Sequence, residues 1–310
     1  MSIPVLNGEF LRSGDRRELV NQFAKSYSEV GFAYLENHGI PQPLVDQVFD
    51  ANRQFHLLPE VEKQKIALDD NHRGYIAIDT STDVNSTLAE VTKPNQSASF
   101  MMMSDSAPDP KRYLSGRNQW PQLTGFRETL ESYHLAMCDL AHALTKVALD
   151  ACGAPGDAIQ AFDRPTTWLR LLHYPPSPIN SPDDLYGSAP HTDFGALTIL
   201  AQDAVGGLQV QTTDGAWIDV PPRPGSYIVN VGDMLHRMSN GFFRSTPHRV
   251  INRSGRERYS VPFFYDPDVA YQVAPLPGLG DPKFPPVQFG EFLRSELEAS
   301  YDTHKSDDGT

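Results

Sequence analysis

Two cysteines, Cys138 and Cys152, are all that 310 residues contain. That is too few for the disulfide framework of a small secreted scaffold, and their spacing is not that of a paired zinc site. A reducing, cytoplasmic setting is the expectation. Basic charge is also scarce: 26 Lys and Arg stand against 39 Asp and Glu, a formal charge of -13. A phosphate backbone demands the opposite balance, so nucleic acid is not an expected partner. Nowhere do 18 uncharged apolar residues run together, and the opening MSIPVLNGEF lacks the basic-then-apolar pattern of a secretory signal. No membrane partner is expected either, and a soluble intracellular protein follows.

What is present is globular usage, 39% hydrophobic and 10% aromatic, with 22 Gly and 26 Pro. Collagen-like, coiled-coil and wholly disordered chains are excluded. The length suggests about two domains or one large one. In residues 16–32, Leu19, Phe23, Tyr27 and Val30 recur at helical spacing. A strand is expected over FAYLENHGIP, a second helix over 43–56 ahead of Pro59, and a third from about Glu60. Residues 70–122 are poor in periodicity and are read as irregular connection with short strands. Residues 125–152 carry the clearest helical pattern, through Phe126, Leu130, Tyr133, Met137, Leu140, Leu144 and Val147, stopping at Gly153.

Beyond Gly153 the texture becomes short β-type runs: WLRLLHYP, ALTILAQD, LQVQTTDGAWIDV, SYIVNVGDML, STPHRVIN and RYSVPFFY. Strands at spacings near ten residues suggest a sandwich or barrel. Gly206-Gly207 and Asp214-Gly215 read as hairpin turns, and residues 302–310 as a flexible tail.

His191-Thr192-Asp193 is the sharpest local signal, because residues i and i+2 of a strand share a face and can ligate one cation. Alone it is weak, since 10 His among 39 acidic residues in 310 give about one such pair by chance. His248, on a later β-run, completes two imidazoles and a carboxylate, a set that suits non-haem Fe(II) with open positions. Arg258 and Ser260 alternate on RYSVPFFY, where a guanidinium and a hydroxyl on one face can hold a carboxylate. Arg237-Met238-Ser239 has the same spacing, but only Arg258 follows His248 by ten residues. The run Ser99-Phe100-Met101-Met102-Met103 reads as core filling that could also line a pocket. Phe194, Leu200, Phe263 and Phe264 flank these strands. His38, His134, His142 and His236 read as capped or solvated, and His173 as facing away from Tyr174.

These blocks, in order with IPVL, FHLLPEVEKQK, RGY, LLHYPP, APHTDFGALTIL, GGLQV and SNGFFRSTPHRV, resemble the Fe(II)- and 2-oxoglutarate-dependent dioxygenases of the isopenicillin N synthase type, over nearly the whole chain. The resemblance implies a mainly β fold with flanking helices, its core a double-stranded β-helix, a jelly-roll barrel. It divides the chain into an N-terminal region, residues 1–124, packed on the barrel, and residues 125–301, which hold the long helix, the barrel and a C-terminal helix. His191, Asp193 and His248 map onto the iron ligands. Arg258 and Ser260 map onto the pair that clamps the distal carboxylate of 2-oxoglutarate, joined by the Tyr174 hydroxyl. Leu172 stands where plant relatives carry Asn, a departure that touches the inner cosubstrate contact.

The implied cofactors are Fe(II), 2-oxoglutarate and O2, with ascorbate as a stimulant. The implied reaction couples decarboxylation of 2-oxoglutarate to succinate and CO2 with oxidation of a C–H bond, by hydroxylation, desaturation or cyclisation. The expected substrate is an amino acid, peptide or secondary metabolite, and the expected assembly a monomer or weak homodimer. Alternatives within the resemblance are an Fe(II) oxidase without 2-oxoglutarate and an ethylene-forming enzyme. A non-catalytic ligand-binding jelly-roll and a zinc hydrolase are the readings from other classes; the second lacks an evident general base.

Overall fold

The computed structural model describes residues 2–12, 15–81, 88, 91, 93–177, 180–182 and 184–300. Its elements, in chain order, are β1 (Val5–Asn7), α1 (Arg17–Glu29), β2 (Phe32–Glu36), α2 (Gln42–His56), α3 (Glu60–Gln64), β3 (Gly74–Ile76), β4 (Ala98–Met103) and α4 (Phe126–Cys152). There follow β5 (Thr166–Tyr174), β6 (Ser188–His191), β7 (Leu197–Gln202), β8 (Leu208–Gln211), β9 (Trp217–Asp219), β10 (Ser226–Val231) and α5 (Asp233–Met238). The chain closes with β11 (His248–Val250), β12 (Arg258–Asp266), β13 (Gln272–Val273), β14 (Val287–Gln288) and α6 (Phe289–Ser300).

Helices form where the apolar period placed them. In α1, Leu19, Phe23 and Tyr27 are buried on one stripe, and α4 buries Phe126, Leu130, Tyr133, Met137, Leu140 and Leu144. Gly153 ends α4 at φ 74°, a left-handed conformation that glycine adopts without steric cost. These helices cover one face of an eight-stranded sheet ordered β1-β2-β10-β7-β12-β5-β4-β3. A four-stranded sheet, β6-β11-β8-β9, stands against the other face. Leu172, Tyr174 and Ile228 of the large sheet and Leu208, Val210 and Val250 of the small one form a single buried cluster between them. Two sheets, antiparallel except for the parallel edge pair β1 and β2, close around such an interior as the jelly-roll barrel, with strands from before residue 125 forming both edges of the large sheet.

Strand parity sorts the side chains. On β12, Tyr259, Val261, Phe263 and Tyr265 pack toward the helices. The alternate residues, Arg258 to Asp266, turn inward. The same parity on β5 turns Trp168, Arg170, Leu172 and Tyr174 inward and sends His173 outward, to stack on Tyr259 with ring centroids 4.9 Å apart. Pro262 has no N–H to give. The ladder from β12 to β5 accordingly skips Val261 and Pro262, between the pairs Ser260 with Leu172 and Phe263 with Leu169.

Three local expectations need correction. The segment SYIVNVGDML is not all strand: Asp233 begins α5, because the N–H groups of Gly232, Asp233 and Met234 donate to carbonyls of the loop before β7 and end the strand. Gly206-Gly207 is not a hairpin, since β7 pairs with β10 and β12 while β8 pairs with β11 and β9. The two glycines carry the chain from one sheet to the other, whereas Asp214-Gly215 does join the antiparallel pair β8 and β9. Third, Asp193 lies beyond the end of β6, so strand alternation is not what sets it beside His191. The tail, residues 302–310, lies outside the described residues.

Candidate active site

His191 closes β6 and His248 opens β11, and the two are cross-strand partners, which brings their rings to 4.3 Å between centroids. Each ring is oriented by its own backbone. His191 Nδ1–H donates to the Ala189 carbonyl at 2.7 Å and His248 Nδ1–H to that of Thr246 at 3.2 Å. In both, Nε2 is then the nitrogen that keeps its lone pair. The Phe32 ring stands edge-on to His248, centroids 5.2 Å apart.

Asp193 arrives from the loop between β6 and β7, which is stitched to the start of α5. The Asp233 N–H donates to the Asp193 carbonyl, that of Met234 to Gly195, and that of Gly232 to Ala196, at 2.8 to 2.9 Å. The Asp193 side chain is fixed by its far oxygen: Oδ2 accepts 2.6 Å hydrogen bonds from Thr198 Oγ1 and Asn230 Nδ2. Oδ1 faces both imidazoles, 3.7 Å from His191 Nε2 and 3.7 Å from His248 Nε2. Burial opposes ionisation of this carboxyl, but the two imidazoles and the two donors outweigh it and hold its pKa below the usual range.

One donor atom from each of the three residues lies within 4.8 Å of the others, the only such group of three or more among the described residues. Those 3.7 Å separations exceed hydrogen bonding and match the roughly 3 to 4 Å between ligands that each stand about 2.1 Å from one ion. The donor set, two imidazoles and one carboxylate oriented from behind, suits a ferrous ion.

Arg258 and Ser260 lie on the inward face of β12, and Tyr174 is the register partner of Arg258 on β5. The Arg258 guanidinium carbon is 4.5 Å from the centre of the Tyr174 ring. Its Nε donates to the Gly206 carbonyl at 2.6 Å, its Nη1 reaches Ser260 Oγ at 3.4 Å, and Ser260 Oγ donates to Tyr174 Oη at 3.4 Å. Arg258 is 0% exposed, yet its Nη2 has no hydrogen-bond partner. A fully buried guanidinium with a donor unmet is set for an anion. Leu172, 8% exposed, lines a cavity together with Tyr174 and presents an apolar side chain to it.

The cavity, about 150 Å³, joins His191 and Asp193 to Met101, Trp168, Arg170, Phe264, Leu293 and Leu297. Of the methionine run, Met101 therefore lines the pocket while Met102 packs in the helical core. Phe194 and Phe264 also line it, Phe263 lies against His134, and Leu200 sits beside the barrel interior. Burial pushes the Asp266 carboxyl at the cavity wall up to about 7, against the Ala196 N–H that it accepts. His38, His134, His142 and His236 are all engaged elsewhere, with Ile40, Thr167, Tyr265 and Phe243.

Sequence reading missed Thr198, Asn230 and Arg170. A usable signal existed for the last two, each a lone polar residue inside an apolar strand run, VNV and LRL.

A jelly-roll carrying this triad is the architecture of non-haem oxygenases, and comparison with known proteins gives the same answer. Residues 165–267 match the 2OG-Fe(II) oxygenase superfamily, and residues 3–123 match the N-terminal region of non-haem dioxygenases in morphine synthesis. The chain is 36% identical to the 2-oxoglutarate-Fe(II) type oxidoreductase hxnY of Emericella nidulans, over 92% of this chain and 86% of that one. It is 34% identical to clavatol oxidase of Penicillium crustosum, covering 92% and 91%. Among solved structures, a full-length Neurospora crassa protein in complex with alpha-KG superposes with a TM-score of 0.83 at 27% identity, covering 95% of each chain. JOX2 in complex with 2OG, Fe and JA gives 0.80 at 28%, covering 97% and 90%.

The chain belongs to the 2OG-Fe(II) oxygenase superfamily. It is an oxidoreductase that uses Fe(II), 2-oxoglutarate and O2.

Proposed function

We propose that His191, Asp193 and His248 hold the ferrous ion, that Arg258, Ser260 and Tyr174 hold the distal carboxylate of 2-oxoglutarate, and that a small molecule is oxidised in the cavity beside them. One observation carries the reading: Asp193 Oδ1 stands 3.7 Å from both Nε2 atoms while its Oδ2 is occupied by Thr198 and Asn230. Three donors from two strands and a loop are thus already oriented, which lowers the reorganisation that binding requires.

When bound, iron and the 2-oxo acid supply the oxidising chemistry: one oxygen atom of O2 goes to succinate as CO2 leaves, and the other oxidises a C–H bond. The protein's part is positioning. Arg258 gives charge and a fixed donor direction, Ser260 and Tyr174 add hydroxyls, and Leu172, Leu208, Val210 and Val250 keep water from the aliphatic part of the diacid. Trp168, Phe264 and Met101 bound the space in which the substrate C–H must be held, and that placement fixes the outcome.

The N-terminal region, residues 1–124, is proposed as an extension of the barrel unit in residues 125–301, supported by its strands at both edges of the large sheet. Two unpaired thiols, Cys138 and Cys152, support a cytoplasmic setting. No helix among the described residues is long and apolar enough to cross a membrane.

The test is anaerobic addition of Fe(II) and then 2-oxoglutarate to the metal-free protein, with absorbance followed in the visible. A charge-transfer band that is lost in Asp193→Ala and weakened in Arg258→Gln supports both assignments. Iron binding without a band moves the reading to an oxidase that does not take 2-oxoglutarate; no iron binding defeats it.

A further inference from the structure

Arg170 is the basic residue at the cavity that the clamp does not use. It sits on the inward face of β5, four residues before Tyr174. At about 3.3 Å per residue it is roughly 13 Å along the strand from the clamp, farther than the two ends of 2-oxoglutarate reach. Arg170 thus projects from a different stretch of β5 than the one paired with the Arg258 clamp.

Its guanidinium is aimed but not paired. Nε donates to Ser99 Oγ at 2.8 Å across the β4–β5 ladder, where Arg170 faces Met101. Among the described residues its Nη atoms make no hydrogen bond, and no carboxylate lies within ion-pair distance of it. Of the two carboxylates that line the cavity, Asp266 accepts the Ala196 N–H and Asp193 accepts from Thr198 and Asn230. A guanidinium kept part-buried in an apolar run, held by one neutral hydroxyl and left with its planar fork free, is the arrangement that recognises a carboxylate in two parallel hydrogen bonds. Around it, Trp168, Phe264 and Met101 offer flat and adaptable apolar surface.

We propose that Arg170 anchors the substrate, and that the substrate is a small organic acid whose carboxylate meets Arg170 while its apolar body lies against Trp168, Phe264 and Met101 and turns a C–H bond toward His191 and Asp193. Ser99 is the positioning residue that aims the fork. This rests on the reading of the metal and clamp residues given above, and the experiment separates the two.

Protein loaded with Fe(II) and 2-oxoglutarate is offered a panel of small aromatic and aliphatic monocarboxylic acids, each beside its neutral primary amide. Perturbation of the visible band is read without oxygen, and succinate release above background with it. The expected result is that acids, and not their amides, perturb the band and raise succinate release. Arg170→Gln then raises the half-saturating acid concentration about tenfold or more, and Arg170→Lys recovers part of the loss. Ser99→Ala gives a smaller shift in the same direction and serves if Arg170→Gln does not fold. Acids and amides acting alike, no acid acting, or Arg170→Gln binding acids as the wild type does would each overturn the proposal. So would a variant that needs more 2-oxoglutarate to form the band, since Arg170 would then belong to the cosubstrate. A wild type that forms no band fails the underlying reading; one that forms it but answers to no acid fails only this inference.

Discussion

Asn230 and Thr198 are cross-strand partners on β10 and β7, and both donate to the same oxygen of Asp193 at 2.6 Å. The metal-facing oxygen is thereby selected by the large sheet rather than by the loop that carries Asp193. Removing either donor leaves the carboxylate free to rotate and raises its proton affinity. Asn230→Ala or Thr198→Val should weaken ferrous binding by about 10- to 100-fold. Titration of Fe(II) or Co(II) against the metal-free variants checks this; an unchanged dissociation constant in a folded variant would mean that the pair does not orient the ligand.

Arg258 is predicted to act on the cosubstrate and not on the metal. A lost charge-assisted contact is worth about 1.5 to 3 kcal/mol, so Arg258→Gln should raise the 2-oxoglutarate concentration that half-forms the visible band by roughly 10- to 150-fold. Ser260→Ala removes a neutral partner at 3.4 Å and should cost only severalfold. Iron affinity measured without 2-oxoglutarate should stay at the wild-type value in Ser260→Ala.

How much of this was legible in sequence follows from the range of each signal. Helical period in α1 and α4 is local and repeated, so it survived intact. His191, Asp193 and His248 could be gathered as a candidate set from residue type and order, and resemblance strengthened it, but their meeting depends on a β6–β11 pairing across 57 residues of chain and on a loop stitched to α5. That stitching is made of backbone hydrogen bonds, which leave no residue-type signature. Asn230 and Arg170 were visible as polar breaks in apolar runs, but what such a break faces is fixed by strand parity and sheet order, both non-local. The sheet change at Gly206-Gly207 looked like a hairpin because turn chemistry is the same whether the following strand folds back or crosses over.

Gly195 is required for steric reasons. A Cβ added there would lie 1.7 Å from Asp266 Oδ1. Asp266 cannot yield easily, since it is buried and accepts the Ala196 N–H at 2.8 Å. Gly195→Ala should therefore destabilise the fold by about 1 to 3 kcal/mol and displace Asp193, two residues away. Urea unfolding together with Co(II) titration reads both effects; a variant as stable and as metal-avid as the wild type would show that the loop has slack.

His56 makes stability fall on the acid side. Its ring lies buried between α2 and β5, 5.1 Å from His173, with Nε2–H donating to the Leu171 carbonyl at 3.2 Å and Nδ1 unpartnered. Burial first, then the neighbouring His173, lowers its pKa from 6.5 to about 3. The unfolded chain therefore takes up a proton below about pH 6.5 that the folded chain refuses down to about pH 3. No penalty exists above pH 6.5; it grows as pH falls through that window, reaching about 2 kcal/mol at pH 5 from this one group, at about 1.4 kcal/mol per pH unit. His56→Gln keeps a donor for Leu171 and removes the titration. Urea unfolding at about pH 7 and about pH 5 should show the wild type losing about 2 kcal/mol more than the variant. Equal losses in the two proteins would mean that His56 accepts its proton in the folded state, and that the space beside His173 admits water to stabilise it.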